Sequence, residues 1–136
     1  MDRYVVNVPA WRHLDIHAWA EFSKHADLGN GLFLYPVEAI GSFIFLGIAI
    51  FKNRFKDISL SLRSATLLSL IGLIFTFFAA PVMLGLKTIG DDQAVLQDAF
   101  DKFHYRGLFR AIAQTLSFFA AVIALMKISN AVRSVR

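Results

Sequence analysis

The chain has 136 residues, 57% of them hydrophobic, a formal charge of +4 and no cysteine. That length suits one domain, and the apolar content is too high for an ordinary soluble one. The lack of cysteine excludes disulfides, thiolate metal sites, iron–sulfur clusters and dithiol redox chemistry; the basic excess lies beside apolar segments and reads as membrane topology, not nucleic-acid binding.

Residues 1–30 are expected to form an amphipathic layer on the membrane surface or over the bundle. Met1–Ala10 has no basic stretch followed by an apolar core, so the first span is expected to direct insertion. A single helix is predicted over 9–28, with Pro9 in its first turn and Gly29-Asn30-Gly31 as its stop. On a helical wheel Trp11, Leu14, Ala18, Phe22 and Ala26 share one face, which should be buried against lipid or the bundle. His13, His17, Glu21 and His25 recur every four residues along another stripe. Two His at i, i+4 can chelate a transition metal, so His13, His17 and His25 are the candidate ligands of a His-held metal; an ordinary solvated helix face is the competing reading.

Three windows reach the ~20 apolar residues that cross a ~30 Å hydrocarbon layer: 31–51, 64–86 and 107–126. The expected fold is all-α, a single membrane domain with three transmembrane helices and an N-terminal amphipathic helix. In the first span Tyr35, Glu38 and Ser42 form a polar stripe. In the second, Ser69, Gly72 and Thr76 offer a small-residue face for helix packing, and Pro81 a kink. The segment 87–106 is expected to hold a short helix capped by Asp91-Asp92, with Leu96, Phe100 and Phe103 on one face, running into the third span. There Arg110, Gln114 and Ser117 form a second polar stripe, with Arg106 one turn further out.

Lys52, Arg54, Lys56 and Arg63 crowd the loop between the first two spans, and Lys127, Arg133 and Arg136 follow the third. By the positive-inside rule that side is cytoplasmic, with the N-terminus outside and the C-terminus inside. The membrane expected is a plasma membrane of the bacterial inner type. All four histidines, His13, His17, His25 and His104, then fall on the outer side. Glu38 and Arg110 lie at similar outward depths, where an unpaired charge is costly, so an ion pair between them is expected. Glu38, Arg110 and His104 are the candidate catalytic residues.

The stretch VPAWRHLDIHAWAEFSKHADLGNGLFLYP, the basic loop, and FHYRGLFRAIAQTLSFFAA together resemble the anthrone-oxygenase-like family of small membrane proteins. Trp11, Trp19, Tyr35-Pro36, Tyr105-Arg106 and Arg110 carry the likeness. The resemblance implies a four-helix bundle whose first helix would precede this chain, so that either a partner supplies it or three helices suffice. It also implies oxidation of polycyclic substrates without a recognised cofactor. Two functions follow as expectations. One is a membrane enzyme or redox-related protein gathering these polar groups around an apolar substrate. The other is an accessory subunit of a larger membrane complex, such as a respiratory one, packed against other membrane subunits or its own copies. Haem between helices, as in small respiratory anchor subunits, is a third expectation; it would need His within the spans, and only His104, at the entrance of the third, stands near one.

Overall fold

The computed structural model describes residues 8–26, 28–29, 31–52 and 56–134. They form five helices: α1 (Val8–Trp11), α2 (Ile16–Ala26), α3 (Gly31–Lys52), α4 (Lys56–Gly85) and α5 (Gln93–Ser134). Three of them, α3, α4 and α5, are long and apolar enough to cross a membrane. The fold is all-α, and the protein is built into a membrane through these three helices. The end of the bundle where α3 begins and α4 stops is called proximal here.

The single helix expected over 9–28 is two helices. After α1 the chain turns, with the His13 and Leu14 amides donating to the carbonyls of Ala10 and Trp11 at 3.1 Å. Asp15 then restarts the helix, its carboxylate accepting from the His17 amide at 3.5 Å and its carbonyl from the Trp19 amide at 3.2 Å. A short acidic side chain that bonds nearby amides favours a cap over a helix interior. The buried face differs accordingly. Trp19, Ala20 and Ser23 face inward, while Leu14 and Phe22 are half exposed; Trp11 is buried as expected. At the end of α2 the Leu28 amide donates to the Ser23 carbonyl at 3.1 Å. A Cβ on Gly29 would collide with the His25 carbonyl oxygen, so a larger residue there would force the end of α2 to shift.

Helix α4 starts eight residues before the apolar window 64–86 and stops at Gly85, as its hydropathy suggests. Helix α5 confirms the expected continuity of the outer helix with the third span. Asp92 caps it, its carboxylate accepting from the amides of Ala94 at 2.9 Å and Val95 at 3.4 Å. Its 42 residues make a rod of about 63 Å, twice the hydrocarbon thickness. The segment before Gly107 carries the polar Gln97, Asp98, Asp101 and Lys102, and the apolar stretch 107–126 that follows is long enough to cross the hydrocarbon.

Antiparallel packing of α4 on α5 is the main tertiary contact. From the distal side, Ser117 Oγ donates to the Ala65 carbonyl at 2.8 Å, Gly72 lies against Gln114, the rings of Phe75 and Phe109 stack at 5.4 Å, and Arg106 Nη1 donates to the Phe78 carbonyl at 2.7 Å. A Cβ at Gly72 would meet Gln114 Cγ at 2.9 Å, so the small-residue face read on the second span is what lets these helices approach. Arg106 meets the main chain three residues before Pro81, in the turn where proline removes a helical hydrogen bond.

Helix α3 packs on α4, and Ala39 and Ser42 mark its inner face: Ala39 is buried, and Ser42 Oγ lies 3.4 Å from Ser69 Oγ. Only 6% of its spanning window is buried. The larger buried cluster lies at the proximal end, where Trp19, Leu28, Met83, Leu86, Leu96 and Phe100 join the cap to the ends of α4 and α5. Trp19 is its anchor, fully buried and edge-on to Phe100 at 5.0 Å.

Candidate functional site

The expected ion pair across the spans is not made. The ion pairs among the described residues are Glu21–Lys24 and Asp98–Lys102. Arg110 sits with its guanidinium carbon 5.6 Å from the centroid of the Tyr35 ring, within range of a cation–π contact. Its Nε is buried without a hydrogen-bond partner among the described residues. Helix phase explains the missed pair. The side of α3 turned to its neighbours runs through Tyr35, Ala39 and Ser42, and Glu38 lies about 70° round from its centre, at 100° per residue. Glu38 is exposed, about 10 Å along the helix from Gly31.

His104 belongs to a different cluster. It is six residues from Arg110 on α5, which at 100° per residue turns it about 120° away from that side chain. His104 stacks on Phe100, with ring centroids 6.1 Å apart and 8° between planes. Arg12, in the turn between α1 and α2, brings Nη2 to 3.2 Å from His104 Nε2. A guanidinium only donates, so the imidazole accepts through Nε2 and is the neutral tautomer protonated on Nδ1. Burial holds the His104 pKa below its usual value, and the Arg12 charge pushes the same way; Asp101 opposes them. Arg12, His13 and His104, with Val8 and Pro9, line a cleft of about 520 Å³ at the proximal end. A second cleft of about 490 Å³ lies between α4 and α5, lined by Phe75, Phe78, Asp101, Lys102, Tyr105 and Arg106.

The N-terminal histidines are dispersed. The break at residues 12–15 separates His13 from the helix carrying His17 and His25, so the four-residue stripe is not continuous. His25 Nδ1 donates to the Glu21 carbonyl at 2.9 Å within α2. Glu21 pairs with Lys24, whose hydrogen bond and charge lower the carboxyl pKa. Among the described residues no three His, Asp or Glu side chains come close enough to hold a metal ion. His13, His17 and His25 thus do not fit a shared site as they stand.

The structure therefore separates the residues that the sequence grouped at one outer site. Glu38 and Arg110 lie in the spans, and His104 stands with Arg12 and His13 at the proximal surface. Arg12 is the member that sequence reasoning missed. It is 92 residues from His104, and no spacing or motif connects the two. The class defined by this fold is a small polytopic membrane protein with a polar proximal end. Compared with protein-family models, curated proteins and solved structures, the chain matches none.

Proposed function

We propose that this protein is a non-catalytic subunit of a larger membrane assembly, joined to it through the outer face of α3. The carrying observation is the placement of Glu38. It sits exposed on a spanning helix of which 6% is buried, on one face with exposed Leu34 and Phe45. A carboxylate facing hydrocarbon costs about 2.5–3.5 kcal/mol on insertion scales, and a donor on a neighbouring helix removes much of that cost. The partner fitting this face is a transmembrane helix with a basic or hydrogen-bond-donating side chain at the depth of Glu38. The positive-inside count supports a cytoplasmic distal end, with the polar proximal end on the opposite side of the plasma membrane.

The experiment is mass measurement of the protein extracted from its native membrane in mild detergent. The expected result is a stoichiometric complex for the wild type and release of the chain by Glu38→Leu, with helical content and melting of the released chain unchanged. A wild-type monomer, or a Glu38→Leu variant still fully assembled, overturns the reading.

A second reading is an enzyme acting on an apolar substrate, the activity implied by the anthrone-oxygenase-like resemblance. It is favoured by the proximal cleft, where a neutral His104 imidazole stands beside Arg12 against the apolar Val8 and Pro9. Here His104 is the proton-transfer candidate and Arg12 a stabiliser of developing negative charge. Substrate-dependent product formation by the isolated monomer, lost in His104→Gln, would establish it against the subunit reading.

A further inference from the structure

We propose that the cleft formed by Arg12, His13 and His104 binds the phosphate of an acidic membrane lipid. The argument begins with the lining. Its polar side chains are three basic groups drawn from the turn after α1 and from α5, and its remaining walls are Val8 and Pro9. Two of the basic groups already converge, with Arg12 Nη2 3.2 Å from His104 Nε2. The guanidinium has five N–H donors, and His104 can use at most one or two of them as acceptor. A phosphate would give the others charged acceptors, and its negative charge would let His104 take a proton and become a donor too.

Position favours a lipid over a soluble anion. The cleft belongs to the cap packed over the proximal ends of α4 and α5 through Trp19, Leu86 and Phe100, which is headgroup level for a bundle spanning through α3, α4 and the 107–126 stretch. Leu14, 55% exposed, and Phe22, 50% exposed, lie on the same cap. They give an acyl chain an apolar surface beside the basic cleft. Arg12 is the standing cation of the cleft, and His104 becomes a second once the phosphate lets it take a proton; two charges on one headgroup give a preference of roughly tenfold or more.

The test uses the full chain, purified and delipidated in detergent. Short-chain phosphatidylglycerol, phosphatidylcholine with the same acyl chains, and inorganic phosphate are titrated separately, with thermal melting and tryptophan fluorescence as readouts. We expect phosphatidylglycerol to bind at least tenfold more tightly than phosphatidylcholine. Arg12→Gln should abolish that preference, and His13→Gln, at an exposed position that leaves the fold intact, should reduce it severalfold. Lys102→Gln removes the same charge from α5 outside this cleft and should retain it. Equal binding of the two lipids, or equal loss in Lys102→Gln and the cleft variants, overturns the proposal. Saturation by inorganic phosphate at the lipid's own concentrations would assign the site to a soluble anion and overturn the lipid.

Discussion

Replacing Trp19 by alanine should undock the proximal cap while leaving the spanning helices in place. The side chain is completely buried, and its ring meets Phe100 at 5.0 Å and Phe103 at 6.5 Å between centroids. Burial of about 200 Å² of aromatic surface at ~25 cal/mol per Å² gives an upper value near 5 kcal/mol. Truncations of buried Trp to Ala span about 3–5 kcal/mol. At 1.4 kcal/mol per decade, the local opening equilibrium of α2 should rise roughly 140- to 4,000-fold. Trp19→Phe separates packing from polarity. Its Nε1 is buried without a hydrogen-bond partner among the described residues, so phenylalanine removes a donor whose desolvation costs about 1–3 kcal/mol and offsets part of the lost ring. Hydrogen exchange in nanodiscs reads this directly. Amides of 19–26 should lose protection in Trp19→Ala and keep most of it in Trp19→Phe, with those of 65–80 unchanged in both. Unaltered exchange across α2 in Trp19→Ala would refute the assignment of Trp19 as anchor, and loss of protection throughout α4 would refute the separation of cap from spans.

Other perturbations probe the remaining contacts. Gly72→Leu should destabilise the α4–α5 pair by about 1–3 kcal/mol through overpacking against Gln114, and Gly72→Ala by less, because Gln114 is exposed and can turn aside; reversible unfolding in mixed micelles measures both. Arg106→Gln should cost about 1.5–3 kcal/mol by removing a charged donor from the Phe78 carbonyl, seen in the same assay. For pH, the folded His104 pKa is lowered, so the unfolded chain binds the extra proton first, and cap stability is full above the ordinary His value of about 6.5 and falls as pH drops below it. Among the described residues, Arg12 and His13 from the cap and Asp101 from its own helix face His104. Hydrogen exchange of α1 and α2 between pH 7.5 and 5 should show this loss in the wild type and little of it in His104→Gln. For orientation, cysteines placed at Asp91 and Lys56 in this cysteine-free chain should react with an impermeant reagent in intact cells at the first position only.

The spans were legible because each is an apolar stretch long enough to cross hydrocarbon, and the α5 cap because Asp92 precedes a periodic run of Leu96, Phe100 and Phe103. The break between α1 and α2 was hidden because Asp15 fits a polar helix face as well as it caps one. The wheel grouped Tyr35, Glu38 and Ser42, yet the inner face of α3 extends from Ser42 and Tyr35 to Ala39, a small residue with no polar mark. That offset of less than one residue's turn moves Glu38 from partner of Arg110 to the bundle surface. The cleft was hidden for another reason: Arg12 meets His104 only because Trp19 docks α2 on α5, a tertiary contact that local patterning does not encode.

Helix α5 has a mechanical consequence. It is one unbroken 42-residue rod, free of proline, from the aqueous cap to the far side of the bilayer. At 1.5 Å per residue, a tilt of about 5° pivoting at its cap end sweeps the other end by roughly 5 Å. The cap holds one end of this lever through Phe100 and Phe103, and α4 grips its middle where Gly72 meets Gln114 and the Ala65 carbonyl meets Ser117. A tilt of the cap relative to the membrane would therefore carry the distal end of α5 with it as one rigid body, without a chain of side-chain rearrangements through the hydrocarbon.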